Sequence, residues 1–123
     1  VTIHRKGTTD RISSRTGKTT EVTGGDAGLT VGGTGDALAG LIAGLIAQGM
    51  EHATACETAS RTIKRAGEAL AAMQGACRTE DVIRLIPRLL KDNAGPDKPP
   101  FKRGTLIACP PCHAIPSLPL PAF

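Results

Sequence analysis

A chain of 123 residues with a formal net charge of +4 and 2% aromatic residues has room for one domain and a modest core. With no Trp or Tyr, that core must come from Ala, Leu, Ile and Val, and the basic excess of the first twenty residues has no Phe, Trp or Tyr beside it on which to stack single-stranded nucleic acid. The apolar run over 37–47 is shorter than the ~20 residues that a membrane-spanning helix needs, so neither nucleic acid nor a membrane is an expected partner.

Val1 to Arg5 alternates weakly and reads as a buried strand already under way, with no signal-peptide pattern before it; a cytoplasmic protein is the expectation. The strand ends at Lys6-Gly7-Thr8-Thr9-Asp10, read as a ligand-facing loop. Lys6 is either a surface lysine or a phosphate contact, and Thr8, Thr9 and Asp10 bring hydroxyls and a carboxylate to the same place. Much of the basic excess lies here, at Arg5, Lys6, Arg11, Arg15 and Lys18, which suits a nucleotide phosphate or a solvated face. Arg11 to Ser14 and Thr19 to Thr23 are two short strand patterns around the turn signal Arg15-Thr16-Gly17-Lys18, which predicts a β-hairpin. The glycine-rich Gly24-Gly25-Asp26-Ala27-Gly28 that follows predicts a loop wrapped around a ligand.

The chain is organised around Thr30-Val31-Gly32-Gly33-Thr34-Gly35-Asp36, which runs straight into an apolar helix over about Gly35 to Gln48. Glycines let backbone amides face a ligand without Cβ atoms in the way. The free amides at the helix start and the positive end of its dipole make an anion site, with phosphate as its usual occupant. Asp36 reads as either a capping acid or a general base beside that phosphate. The helix is apolar nearly all round, which predicts burial on most faces, and Gly49 is its stop. Gly40 and Gly44 predict close approach of a neighbouring backbone.

A second helix is predicted from Glu51 to Met73, ended by Gly75. Ala53, Cys56, Ala59, Ile63, Ala66, Leu70 and Met73 recur at threes and fours as its inner face, with Glu57, Arg61, Lys64, Arg65 and Glu68 on the outer one. A third begins at Arg78, with Thr79 as N-cap and Glu80 and Asp81 in the first turn. Val82, Ile83, Ile86, Leu89 and Leu90 are its apolar side, and Pro87 should bend or interrupt it. His4 and His52 stand alone in the sequence and read as structural or surface residues. Cys56 reads as core, and Cys77 sits at a helix boundary without an evident partner. Every proline but Pro87 lies beyond Asn93, which predicts a disordered tail over 93–123. Cys109-Pro-Pro-Cys112-His113 within it matches a haem-attachment or redox pattern, but lacks folded context, and falls short of a zinc set. Accidental occurrence is the leading reading, and no metal site is expected.

The run VGGTGDALAGLIAGLIAQG resembles the G-[TS]-G-D segment of the ribokinase-like small-molecule kinases. With Lys6-Gly7-Thr8-Thr9-Asp10, Thr23 to Thr30 and Arg78 to Ile83 at similar spacing, it is most similar to the ADP-dependent NAD(P)H-hydrate dehydratases. The resemblance covers roughly 1–92, which divides the chain into 1–92 and a tail, 93–123. It implies an α/β fold, the C-terminal part of a three-layer α/β/α sandwich with a mostly parallel central sheet. It implies repair of hydrated NADH and NADPH at the expense of ADP (ATP in some lineages) with Mg2+. Asp36 would then contact the hydrate and take its hydroxyl proton. Gly33, Thr34, Gly35 and Asp36 would offer amides to the transferring phosphoryl, and Lys6, Gly7, Thr8, Thr9, Asp10 and Gly35 would hold the nucleotide.

Three departures from the family pattern stand out. More than half of that domain would precede Val1. Ile63-Lys64 stands where many relatives carry a His-Gly or similar pair. The tail has no counterpart, as though it came from a shifted reading frame or a fusion. Two other classes therefore stay open beside the dehydratase: a phosphotransferase acting on a sugar or vitamin alcohol, and a non-enzymatic interaction protein. A homo-oligomer is also left open.

Overall fold

The computed structural model describes residues 1–92. Strands β1 (Ile3–Arg5), β2 (Asp10–Ser13) and β3 (Thr19–Val22) form an antiparallel sheet in that order. The predicted hairpin is present, closed by Ser14 N–H donating to the Lys18 carbonyl at 2.9 Å. Register places Ile12 opposite His4 and Thr20, and Asp10 opposite Val22. The period-2 alternation of a strand sends these residues to one face, where Asp10, Ile12 and Val22 are buried. Arg11 and Glu21 point the other way and pair at 2.8 Å in solvent. β1 is not the buried strand that the sequence suggests: among the described residues it pairs with β2 alone, and Ile3 is 62% exposed.

Helices α1 (Thr34–Ala47), α2 (His52–Gln74) and α3 (Thr79–Asp92) follow a short 3-10 turn, Ala27–Leu29. α2 is central. Its Ala55, Ala59, Ile63, Ala66 and Leu70 pack with Leu38 and Leu45 of α1 and Val82 of α3. Cys56, on its other side, packs with Ile12 and Val22 of the sheet. Both ends are fixed, by the Glu51 carboxylate accepting from Thr54 N–H at 2.9 Å and by Gly75 in the left-handed region.

Three expectations are corrected here. α1 buries only Thr34, Leu38 and Leu45; Ala39, Gly40, Ala43, Gly44 and Ala47 are exposed, because α1 packs from one side only among the described residues. Thr79 does not cap α3: Asp81 and Val82 N–H donate to the Arg78 carbonyl, and the Thr79 hydroxyl is used elsewhere. α3 runs through Pro87 unbroken. Ile83, whose carbonyl loses its helical partner to that proline, is half exposed, and water can replace the lost bond. The α/β class stands, with three strands and three α-helices among the described residues. No strand pair among the described residues is parallel, unlike the sheet that the resemblance implies. No described helix is long and apolar enough to cross a membrane. The expectations for 93–123, including Cys109, Cys112 and His113, lie outside the described residues.

Candidate phosphate site

α1 begins without a side-chain cap. Its N-cap is Gly33, at φ +88°, a conformation that L side chains rarely adopt. The first helical bond runs from Ala37 N–H to the Gly33 carbonyl at 2.9 Å, so the amides of Thr34, Gly35 and Asp36 precede the helical ladder. A Cβ placed on Gly32 or Gly35 would meet nothing within 4 Å, so no other part of the described chain fills the space beside either glycine.

Lys6, the residue after β1, comes to this helix end. Its ammonium donates to Thr34 Oγ1 at 2.9 Å. Thr34 is 1% exposed, and its hydroxyl faces the carbonyls of Leu29 and Val31, each 3.0 Å away, with one proton to donate between them. A cation at the positive end of a helix dipole is electrostatically unfavourable on its own. An anion between the two reverses the sign of both interactions. Asp36 stands exposed in the first turn of α1.

The loop that carries Lys6 is held from inside. Asp10 is 3% exposed; its Oδ1 accepts from Gly7 N–H at 2.8 Å and lies 3.8 Å from Lys64 Nζ. Lys64 Nζ donates to the carbonyls of Thr8 at 2.9 Å, Gly24 at 3.1 Å and Gly7 at 3.3 Å. One helical turn on, Glu68 Oε1 accepts from Gly25 N–H at 2.7 Å. Thus Lys6 and Thr34 meet directly, and Gly33, Gly35 and Asp36 share their turn. Gly7 and Thr8 are exposed and Thr9 half-buried on the loop, while Asp10 turns inward and organises it.

His4 does not stand alone: its Nε2 lies 2.9 Å from Ser60 Oγ and 3.8 Å from Asp10 Oδ2. The set is not a nucleophilic relay. One ring nitrogen faces both partners, whereas a relay uses the two nitrogens separately, and Ser60 is fully buried. Ser60, Lys64 and Glu68 went unrecognised as site residues in the sequence. Their spacing of four is the signal that could have found them, since it puts a polar stripe along one face of α2.

Other reactive groups lie apart from this site. Burial pushes the thiols of Cys56 and Cys77 above their ordinary range, with nearby acids (Glu51 for Cys56, Asp26 and Asp81 for Cys77) adding to it. No three His, Cys, Asp or Glu side chains among the described residues group as a metal site. An open groove between the sheet and α1 is lined by residues such as Ile12, Ile42, Ala43 and Ile46, and includes none of Lys6, Thr34 or Asp36.

The sequence profile of the NAD(P)H-hydrate dehydratase family matches residues 1–88. An ADP-dependent (S)-NAD(P)H-hydrate dehydratase from Natrialba magadii is 38% identical over 77 residues, which is 62% of this chain and 30% of that protein. A bifunctional NAD(P)H-hydrate repair enzyme from Leishmania braziliensis is 42% identical over 76 residues, 59% of this chain and 14% of that protein. The chain thus spans less than a third of the length of these relatives. No solved structure gives a significant match. Lys6, the uncapped glycine turn and Asp36 all fall within the matched span, and the chain belongs to the NAD(P)H-hydrate dehydratase family.

Proposed function

We propose that this chain carries the phosphoryl-transfer corner of an ADP-dependent NAD(P)H-hydrate dehydration. The observation that supports the reading most is the Lys6 ammonium 2.9 Å from Thr34 Oγ1 at a helix start with free amides and no cap. Two positive features converge there, and a phosphate is the ligand that both favour. ADP supplies the phosphoryl group that turns the hydrate's hydroxyl into a leaving phosphate, so the products are AMP, phosphate and NAD(P)H. In this reading Asp36 takes the proton of that hydroxyl. The amides of Gly33, Thr34, Gly35 and Asp36 stabilise the negative charge of the transferring group, as preorganised donors do without reorganising. Lys6 neutralises phosphate charge. Gly7, Thr8 and Thr9 border the nucleotide, and Asp10 shapes their loop. With no carboxylate cluster among the described residues, Mg2+ fits as an ion borne mainly on nucleotide phosphates, with Asp36 the nearest carboxylate in the turn's sequence.

The test is to incubate the chain with Mg-ADP and hydrated NADH. Release of AMP and phosphate with recovery of dihydronicotinamide absorbance, absent in Asp36→Asn, is the expected result. Phosphorylation of a sugar or vitamin alcohol with no turnover of the hydrate would assign the site to a related kinase instead. Absence of ADP binding by calorimetry would remove the nucleotide reading altogether.

A further inference from the structure

Lys64 is 7% exposed, and a buried charge is tolerated only when paired and hydrogen-bonded. Its ammonium has three protons and three backbone carbonyls to receive them, on Gly7, Thr8 and Gly24, with the Asp10 carboxylate 3.8 Å away as counter-charge. The position of those carbonyls matters. The β2–β3 ladder ends at the Asp10–Val22 pair. Two residues beyond that pair on each strand, Thr8 and Gly24 both turn their carbonyls to Lys64. Among the described residues no backbone hydrogen bond joins the two loops. The ammonium therefore continues the connection between the strands where the ladder stops.

Both sides of the Lys6–Thr34 contact lead back to this point. Gly7, held by Lys64, is the residue after Lys6. Gly24 opens the segment that reaches Leu29, whose carbonyl faces the Thr34 hydroxyl. We propose that Lys64 is a positioning residue of the nucleotide site: its ammonium ties the loop 6–10 to Gly24 and so sets where Lys6 meets the start of α1. This rests on the nucleotide reading above.

The test compares the whole chain with Lys64→Met, which keeps the apolar stem and removes the charge. Mg-ADP affinity is read by calorimetry, and amide exchange is read at Gly7 and Gly25 against Leu70 and Val82 in the helical core. Expected are ADP binding weaker by about tenfold or more, faster exchange at Gly7 and Gly25, and unchanged exchange at Leu70 and Val82. In Lys64→Ala, added propylammonium should restore part of the affinity; that recovery also serves if Lys64→Met fails to fold. Equal ADP affinity in Lys64→Met and the unaltered chain would overturn the positioning role alone. So would an equal rise in exchange throughout the chain, or an affinity that propylammonium leaves unchanged in Lys64→Ala. If the unaltered chain binds no ADP, the nucleotide reading falls and this role falls with it.

Discussion

Thr79, the first residue of α3, donates its hydroxyl to the carbonyl of Gly32 across 2.7 Å and 47 residues of sequence. Its methyl also closes the space beside Gly33, where an added Cβ would meet Thr79 Cγ2 at 3.3 Å. The glycine turn is thus braced by the first residue of α3. Thr79→Val keeps the shape and deletes the hydrogen bond, which should lower stability by about 1 kcal/mol in urea unfolding. ADP affinity should fall as well. A variant that loses stability and keeps affinity would show the brace to be irrelevant to the site.

Gly67 lies where α2 meets the side chain of Leu29. A Cβ there would sit 2.5 Å from Leu29 Cγ, too near the root of that side chain for its tip alone to move aside. Alanine in a helix gains about 1 kcal/mol over glycine, while overpacking costs about 1–3 kcal/mol. Gly67→Ala should therefore destabilise the chain, measured by its denaturation midpoint, and shift the Leu29 carbonyl away from Thr34. An increase in stability would mean that Leu29 yields without effort.

Lys6 and Asp36 should separate binding from chemistry. Lys6 is exposed and placed at the unfavourable end of a helix dipole, so Lys6→Met should change stability by less than about 0.5 kcal/mol. Calorimetry should show weaker ADP binding in the same variant. Asp36→Asn should keep ADP affinity and lose about 100- to 10,000-fold in dehydration rate, the range for a removed general base.

Glu51 gives the fold an acid-sensitive point. Hydrogen bonds from the Thr54 and Ala53 amides hold its carboxyl below the usual range. A carboxyl lowered in the folded state contributes stability in full above its unfolded value. That contribution is lost as the pH falls through the folded one. The start of α2 should therefore weaken on acidification, and Glu51→Gln should flatten that part of the stability–pH curve. An unchanged acid limb in Glu51→Gln would show that other carboxylates account for it.

Periodicity and turn chemistry made the hairpin and all three helices legible, because each depends on neighbours in sequence. The glycine turn before α1 was legible for the same reason. What escaped depended on distant partners. Lys64 and Glu68 occupy helix positions that look solvent-facing until the loops at Gly7 and Gly24 fold over them. His4 gained Ser60 from 56 residues away. Thr79 looked like a cap because a threonine before two acids usually is one, and Gly32 competed for the same hydroxyl. The burial expected of α1 failed for the converse reason: an apolar sequence shows what a helix can bury, while the neighbours determine what it does bury.

Ser60, Lys64 and Glu68 follow one another at successive turns of a single helix, Ser60 fastened to β1 through His4, Lys64 to the loop at Gly7 and Thr8 and to Gly24, and Glu68 to Gly25. The separation between those fastening points is therefore set by helical pitch, about 6 Å for every four residues. One residue inserted between Ser60 and Glu68 would rotate the later anchors by about 100° and point them away from the loops. The turn over 14–18, whose hydrogen bonds stay within the hairpin, has no such constraint. Length variation in this chain should accordingly be accepted at the hairpin tip and rejected within the middle of α2.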